Sequence, residues 1–266
     1  MPFPQSERVV FDQNPISEVI CQLRFPPILQ ISAGPPAEFQ ERLRATYPLF
    51  ETEAAPGLPR EMSALLARMA PVVPERALVN RFLPESRDRY VALTQEYVAY
   101  SETKYREWTD FRKHMIEAQR ALEDTYKPSF YSRVGLRYLN TINLDRLGLQ
   151  GVRWGDLLNP SFLSVMNSTE VASQVLGLFT QALVDLSQAI PGAKVTIRFG
   201  LHPVEGRSTF VMDNDFYLEG HTEGRDVIQT LNEFNKLDGN LFRWAIRRDG
   251  RLWAALGPRA VANVGA

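Results

Sequence analysis

The sequence predicts an α+β fold: a broad, twisted antiparallel sheet with two long amphipathic helices packed on one face. Three observations carry that expectation. Several segments alternate apolar and polar residues with a period of two, the mark of half-buried strands. Two long segments repeat apolar residues at steps of three and four, the mark of amphipathic helices. A hairpin followed by a long helix occurs twice, over residues 77–126 and 194–246, which suggests two ββα-type halves within a single domain of residues 1–266, although the halves share no obvious identity.

In chain order, Val19, Cys21, Leu23 and Phe25 share one face of residues 16–25, with Glu18, Gln22 and Arg24 opposite. Pro26-Pro27 ends that strand. Phe39, Leu43 and Tyr47 follow Pro35-Pro36 at helical spacing, with proline in the first turn. Residues 51–75 are rich in proline and alanine, and Met62, Leu65, Leu66 and Met69 suggest a short helix between loops. Two β-rich runs, Ala77–Leu83 and Arg89–Ser101, flank Pro84-Glu85-Ser86-Arg87-Asp88 as a hairpin. Trp108, Phe111, Met115, Ala118, Leu122 and Tyr126 then form a continuous stripe on a helix that Lys127-Pro128 ends.

Residues 129–142 read as a long strand, with Val134, Leu136, Tyr138 and Ile142 on one face and Arg133 and Arg137 on the other. Residues 143–170 are mostly loop. Over 171–187 the spacing of Val171, Val175, Leu178, Phe179, Ala182, Leu183 and Leu186 fits a helix, while the β-branched content leaves a strand as the alternative. A second hairpin joins Val195–Leu201 to Thr209–Leu218 through Pro203-Val204-Glu205-Gly206. The last helix runs from about Arg225 to Ile246, with Val227, Leu231, Phe234, Leu241 and Ala245 inward.

Composition narrows the function classes. Thirty basic and 31 acidic side chains balance, so no global field draws the chain to nucleic acid or membrane. The single cysteine, Cys21, permits no internal disulfide and fits a reducing cytoplasm. The N-terminal residues lack the basic and apolar regions of a signal peptide, and no apolar run reaches the roughly 20 residues that span a bilayer. A soluble, cytoplasmic protein without a membrane partner is expected.

The most pointed chemistry lies between Thr209 and His221. Alternation there places Asp213, Asp215, Tyr217, Glu219 and His221 on one face, opposite Met212, Phe216 and Leu218. Carboxylates at i and i+2 of a strand stand roughly 7 Å apart. They can hold a cation through oxygen ligands, act as a coupled acid–base pair if buried, or pair with Arg133 and Arg137 on a neighbouring strand. The plainest alternative is the solvated face of a half-covered sheet.

A second cluster, Arg243, Arg247, Arg248 and Arg251 with Trp244 and Trp253 interleaved, has the residue types of a single-stranded nucleic-acid surface. Cations also complement a helix C-terminus, and the sequence pI of about 6.4 is not that of a basic domain. Three scattered histidines and one cysteine give no zinc spacing, and no phosphate loop, nucleophile elbow or dinucleotide fingerprint is present. No metal and no cofactor are expected.

The stretch Asn14-Pro15-Ile16-Ser17-Glu18-Val19-Ile20-Cys21-Gln22-Leu23-Arg24-Phe25-Pro26-Pro27 closely resembles the opening of the uncharacterised bacterial "sporadically distributed protein" family, whose members are of about this length. The resemblance continues at Ala37-Glu38-Phe39-Gln40, Tyr47-Pro48, Arg133–Asn140, Met212–Asp215 and Leu241-Phe242. It implies no catalytic residues. The family's patchy occurrence is that of accessory genes, which often serve in defence or toxin–antitoxin modules. The expected function is therefore that of a non-catalytic interaction protein whose partner is another protein. The alternatives are an enzyme or ligand-binding protein using a polar groove at Asp213, Asp215, Arg133 and Arg137, and nucleic-acid binding through the C-terminal arginines.

Overall fold

The structure, a computed structural model, describes residues 2–54, 78–168, 170–171, 174–175, 177–204, 207–248 and 250–260. Nine strands form one sheet: β2 (Ile16–Arg24), β3 (Leu49–Ala54), β4 (Leu78–Leu83), β5 (Arg89–Leu93), β6 (Tyr97–Glu102), β7 (Tyr131–Asn143), β8 (Leu178–Asp185), β9 (Ala193–Val204) and β10 (Arg207–Thr222). Their order is β3-β4-β5-β6-β2-β7-β10-β9-β8, antiparallel throughout. The helices are α1 (Ala37–Leu43), α2 (Trp108–Tyr126), α3 (Gly224–Ala245) and α4 (Arg251–Leu256). Strands β1 (Val9–Phe11) and β11 (Pro258–Ala260) form a separate ribbon. The α+β fold class read from the periodicities is the one observed.

Strand register shows why one face carries the core. The directly opposed residues Phe50, Phe82, Val91, Tyr100, Cys21, Leu136, Phe216, Val195 and Val184 form one row across all nine strands. Side chains alternate along each strand, so neighbouring residues in the same strands project from the opposite face. Helix α2 packs over β6, and α3 packs over β7 and β10. Their stripes, Phe111, Met115, Ala118 and Leu122 on one and Val227, Leu231, Phe234 and Leu241 on the other, are fully buried. Trp108 Nε1 donates to Asn232 Oδ1 at 2.8 Å and ties the two helices together. Helix α2 stops because Lys127 takes a left-handed conformation, φ 49°, and Pro128 cannot continue the helix.

The same element order occurs twice. A first strand (β2 or β7) pairs with the last strand of the meander that follows it (β6 or β10), and a long helix comes next (α2 or α3). Strands β2 and β7 then pair with each other at the centre. Each hairpin–helix unit of the sequence thus acquires a leading strand, and β3 is an additional edge.

Three expectations need correction. The run 89–101 is two strands, because Thr94 Oγ1 accepts from the Glu96 and Tyr97 amides and turns the chain back. Within 171–187, residues 178–185 form strand β8, not a helix. Leu178, Ala182 and Leu186 fit either period, and pairing with β9 from Leu178↔Leu201 to Asp185↔Lys194 decides between them. That pairing needs Gly200, since a Cβ there would collide with the Leu178 carbonyl. The start of the proline- and alanine-rich stretch is drawn into strand β3 by pairing with β4, whereas the helix expected at Met62–Met69 lies outside the described residues. The tail carries α4 and β11, which sequence periodicity did not indicate.

Candidate functional site

Asp213 and Asp215 project from the face opposite the helices, as alternation along β10 requires, and Arg133 and Arg137 project beside them from β7. The pairs they form are diagonal. Arg137 stands directly opposite Asp215 yet reaches Asp213, with Nε–Oδ1 at 2.6 Å and Nη2–Oδ2 at 2.8 Å. Arg133 stands opposite Glu219 and reaches Asp215, with Nη2 at 3.0 Å from both carboxylate oxygens. A third arginine, Arg198 of β9, closes on Asp213 Oδ2 at 3.3 Å. Asp213, whose side chain is 9% exposed, is thus held between two guanidinium groups. The hydrogen bonds to Asp213 hold the Arg137 pKa above its ordinary value.

Tyr217 belongs to the same arrangement. It faces Gly135 across the β7–β10 pairing, and the Arg133 guanidinium lies 4.8 Å from its ring centre. A Cβ at residue 135 would collide with Arg133 Nη1. Gly135 therefore leaves the space through which Arg133 crosses to Tyr217, to Asp215 and, at 3.5 Å, to Gln22 Oε1. All five expected site residues are brought together, but as an interlocked ion-pair surface. Asp213 accepts a two-nitrogen fork from Arg137, while both oxygens of Asp215 share the single Arg133 Nη2, so both carboxylates are occupied by guanidinium partners. An open depression of about 370 Å³ lies nearby among Arg24, Pro26, Glu96, Ser132, Arg133 and Glu219. Of the five, only Arg133 lines it. Convergence into a concave groove is not observed.

The C-terminal arginines separate into two kinds. Arg243 is buried: its Nε donates to Ser6 Oγ at 2.6 Å and its Nη2 to Asn240 Oδ1 at 3.0 Å. Burial pushes its pKa down to about 10. It cannot serve as a nucleic-acid contact, because the α3 face that carries it is packed. Arg247, Arg248 and Arg251 are exposed and line an open depression of about 460 Å³ together with Asp156 and Gly250. The interleaved tryptophans pack inward: Trp244 meets Phe3 and Phe162, and Trp253 meets Phe11 edge-on at 5.3 Å. Both are partly buried against the core.

Other titratable groups are structural. Burial raises the Cys21 thiol pKa far above its usual range, so it is not an activated nucleophile. His221 stacks on Phe130 at 4.4 Å and bonds Glu223. Gly220, φ 119°, accompanies a register shift at that end of β10. His114 sits beneath α2, where Arg89 Nη1 approaches its Nε2 at 2.9 Å. Its Nδ1 lies 3.1 Å from Tyr47 Oη and 3.5 Å from Glu117 Oε2. Beside it, Tyr100 Oη donates to Glu102 Oε2 at 3.0 Å. Beneath α3, Asn214 Nδ2 donates to Asp238 Oδ1 at 2.8 Å, and Asn214 Oδ1 has no partner. Burial raises the Asp238 pKa to about 7 against the opposing effects of Asn214 and Arg243. Among the described residues no cluster of three or more His, Cys, Asp and Glu is arranged to hold a metal.

Among protein families, no model matches this chain, and no curated protein matches it. No helix among the described residues is long and apolar enough to cross a membrane.

The feature that sequence reasoning missed is the outer edge of the sheet. Strand β8 exposes Phe179 by 54% and Leu183 by 62%, both on the face opposite the helices. Among the described residues nothing pairs with its outer side. Exposed and half-buried positions alternate strictly from Leu178 to Asp185 in the structure, a pattern that Leu178-Phe179-Thr180-Gln181-Ala182-Leu183-Val184-Asp185 does not show by residue type. A helical period sharing several of the same residues obscured the strand.

Proposed function

We propose that this chain is a non-catalytic interaction protein that engages another protein through the free edge of its sheet at β8. One observation carries the reading: Asp213 and Asp215 of the polar face are committed to arginine pairs, while Phe179 and Leu183 stand exposed beside a strand edge that is unpaired among the described residues. Unpaired edges of this kind bind added strands through backbone hydrogen bonds, with side-chain pockets conferring choice. The other edge, β3, is guarded by Glu51 and Glu53, paired with Arg87 and Arg81 at 2.6 Å.

The likeness of residues 14–27 to the sporadically distributed bacterial family supports placing the protein among accessory components of a defence or toxin–antitoxin module. The lone cysteine supports a cytoplasmic setting. A photo-crosslinking residue at Gln181, expressed in the native host, tests the reading. We expect a discrete crosslinked protein species that is absent when the crosslinker stands at Thr52 of β3 and lost in Leu183→Asp. Recovery of only the uncrosslinked chain from Gln181 would overturn it.

A second reading, nucleic-acid binding, is favoured by the convergence of Arg247, Arg248 and Arg251 on one depression. Retention of single-stranded DNA that weakens steeply with salt would support it. No retention at low salt removes it.

A further inference from the structure

We infer that the strand received by β8 is β8 of a second copy of this chain, running antiparallel about a twofold axis at Gln181. This rests on the reading of β8 as a protein-binding edge and names the partner. A twofold axis perpendicular to the sheet keeps each face on its own side, so only residues of the same face can stand opposite one another. In β8, Phe179, Gln181, Leu183 and Asp185 share the face away from the helices, and Leu178, Thr180, Ala182 and Val184 share the other.

Centring the axis on Gln181 places Phe179 opposite Leu183 of the second copy, and Leu183 opposite its Phe179. The helix-side positions then match as Leu178 with Val184 and Thr180 with Ala182. Aromatic–aliphatic opposition is a favourable cross-strand pair, and the twofold forms it twice. Asp185, the strand's one charge, falls opposite Gly177, so no like charges meet. Centring instead on Ala182 would set Phe179 against Asp185 and Leu183 against Gln181; centring on Thr180 would set Phe179 against Gln181. Only the Gln181 axis is self-complementary.

The residue on the axis is prepared for this pairing. Arg198 Nε donates to Gln181 Oε1 at 3.1 Å, and among the described residues no hydrogen bond from Gln181 Nε2 occurs. Its amide hydrogens remain available to the opposing Gln181. Edge strands that avoid association carry lysine, proline or inward charge, and β8 carries none of these. Self-pairing of β3 about Thr52 would oppose Glu51 to Glu53, like charges in direct apposition. The assembly would fuse two nine-stranded sheets edge to edge. A contact of single strands is smaller than the roughly 800 Å² per partner of a standard interface, so a dissociation constant on the order of micromolar is expected.

Sedimentation velocity of the full chain across a concentration series, with far-UV circular dichroism as a check of folding, tests the inference. The wild type should pass from monomer to dimer, and Leu183→Asp should weaken the dimer about tenfold or more. Should Leu183→Asp fail to fold, Gln181→Cys supplies an independent measure. Two such thiols meet on the axis and should crosslink under mild oxidation, whereas Thr52→Cys should not, and native Cys21 is buried. A wild type that stays monomeric at high concentration, or a Gln181→Cys chain that does not crosslink, overturns the homotypic pairing. If the Gln181 photo-crosslink in cells nevertheless captures a different protein, the edge remains a docking site and only its occupant is wrong. If it captures nothing, both ideas fall.

Discussion

Against the inner side of α2, Tyr47 bonds His114 and Tyr100 bonds Glu102, so that each of these side chains has a partner. Beneath α3, at the corresponding place between the last strand and the helix of the second half, Asn214 meets Asp238 and leaves an acceptor unpaired. Each half buries polar groups between its last strand and its long helix, and the two treat them differently. Matched donors and acceptors make the first cluster a rigid part of the core. The second holds a carboxyl whose ionisation the fold resists. Equivalent topology does not confer equivalent electrostatics; the local count of donors decides.

The largest effect that tests this contrast concerns Asp238. Its pKa is raised from 3.8 to about 7 in the folded chain, so between those values the folded state holds a proton that the unfolded state releases. That contribution to stability is complete below about pH 4 and is lost as pH rises to about 7. The change amounts to about 4 kcal/mol as an upper order of magnitude. Asp238→Asn should flatten the decline and exceed the wild type in stability at pH 8, measured by urea unfolding at pH 5 and pH 8. An unchanged slope would show the second cluster to be as well matched as the first.

His114→Leu should act the other way, removing the partner of Arg89 and of Tyr47. A loss of about 1–3 kcal/mol is expected by urea unfolding at pH 8. The polar face gives smaller changes. Asp213→Ala leaves Arg137 and Arg198 facing each other and should cost about 1 kcal/mol, less at high salt, because the arginines are partly exposed. Arg24→Ala breaks an exposed pair with Glu96 and should shift the midpoint by under about 0.5 kcal/mol.

Periodicity made most of the fold legible. Strand β2 and both long helices lie within a residue or two of where their alternation or stripes put them, because each buries one continuous face, and β10 extends the expected Thr209–Leu218 to Arg207–Thr222. The ion pairs of Arg133 and Arg137 with Asp213 and Asp215 were among the options that spacing allowed, but which diagonal each arginine takes depends on register, which no single strand encodes. Arg198 was missed for the same reason: it joins the cluster from a third strand. The Asn214–Asp238 pair had a visible trace. Asn214 stands between Met212 and Phe216 on an otherwise apolar face, and Asp238 fills a gap between Phe234 and Leu241 in the α3 stripe. A polar residue at a position the pattern reserves for the core marks a buried partner on the facing element. Strand β8 is ambiguous in the sequence because Leu178, Ala182 and Leu186 satisfy two periods at once, and only its pairing with β9 separates them.

Strand β2 borders β6 on one side and β7 on the other, which has a bearing on how the protein is made. Val19 waits for Glu102 and Val134 for Leu218, closures of about 80 residues each, and such distant partners place folding among the slower, millisecond-to-second cases. During synthesis the first half can complete its meander while β7 is still inside the ribosome. Until β7 emerges, the inner edge of β2, from Ile16 to Arg24, stays without its backbone partners. The nascent chain therefore passes through a stage that is prone to adhesion and that a chaperone would recognise.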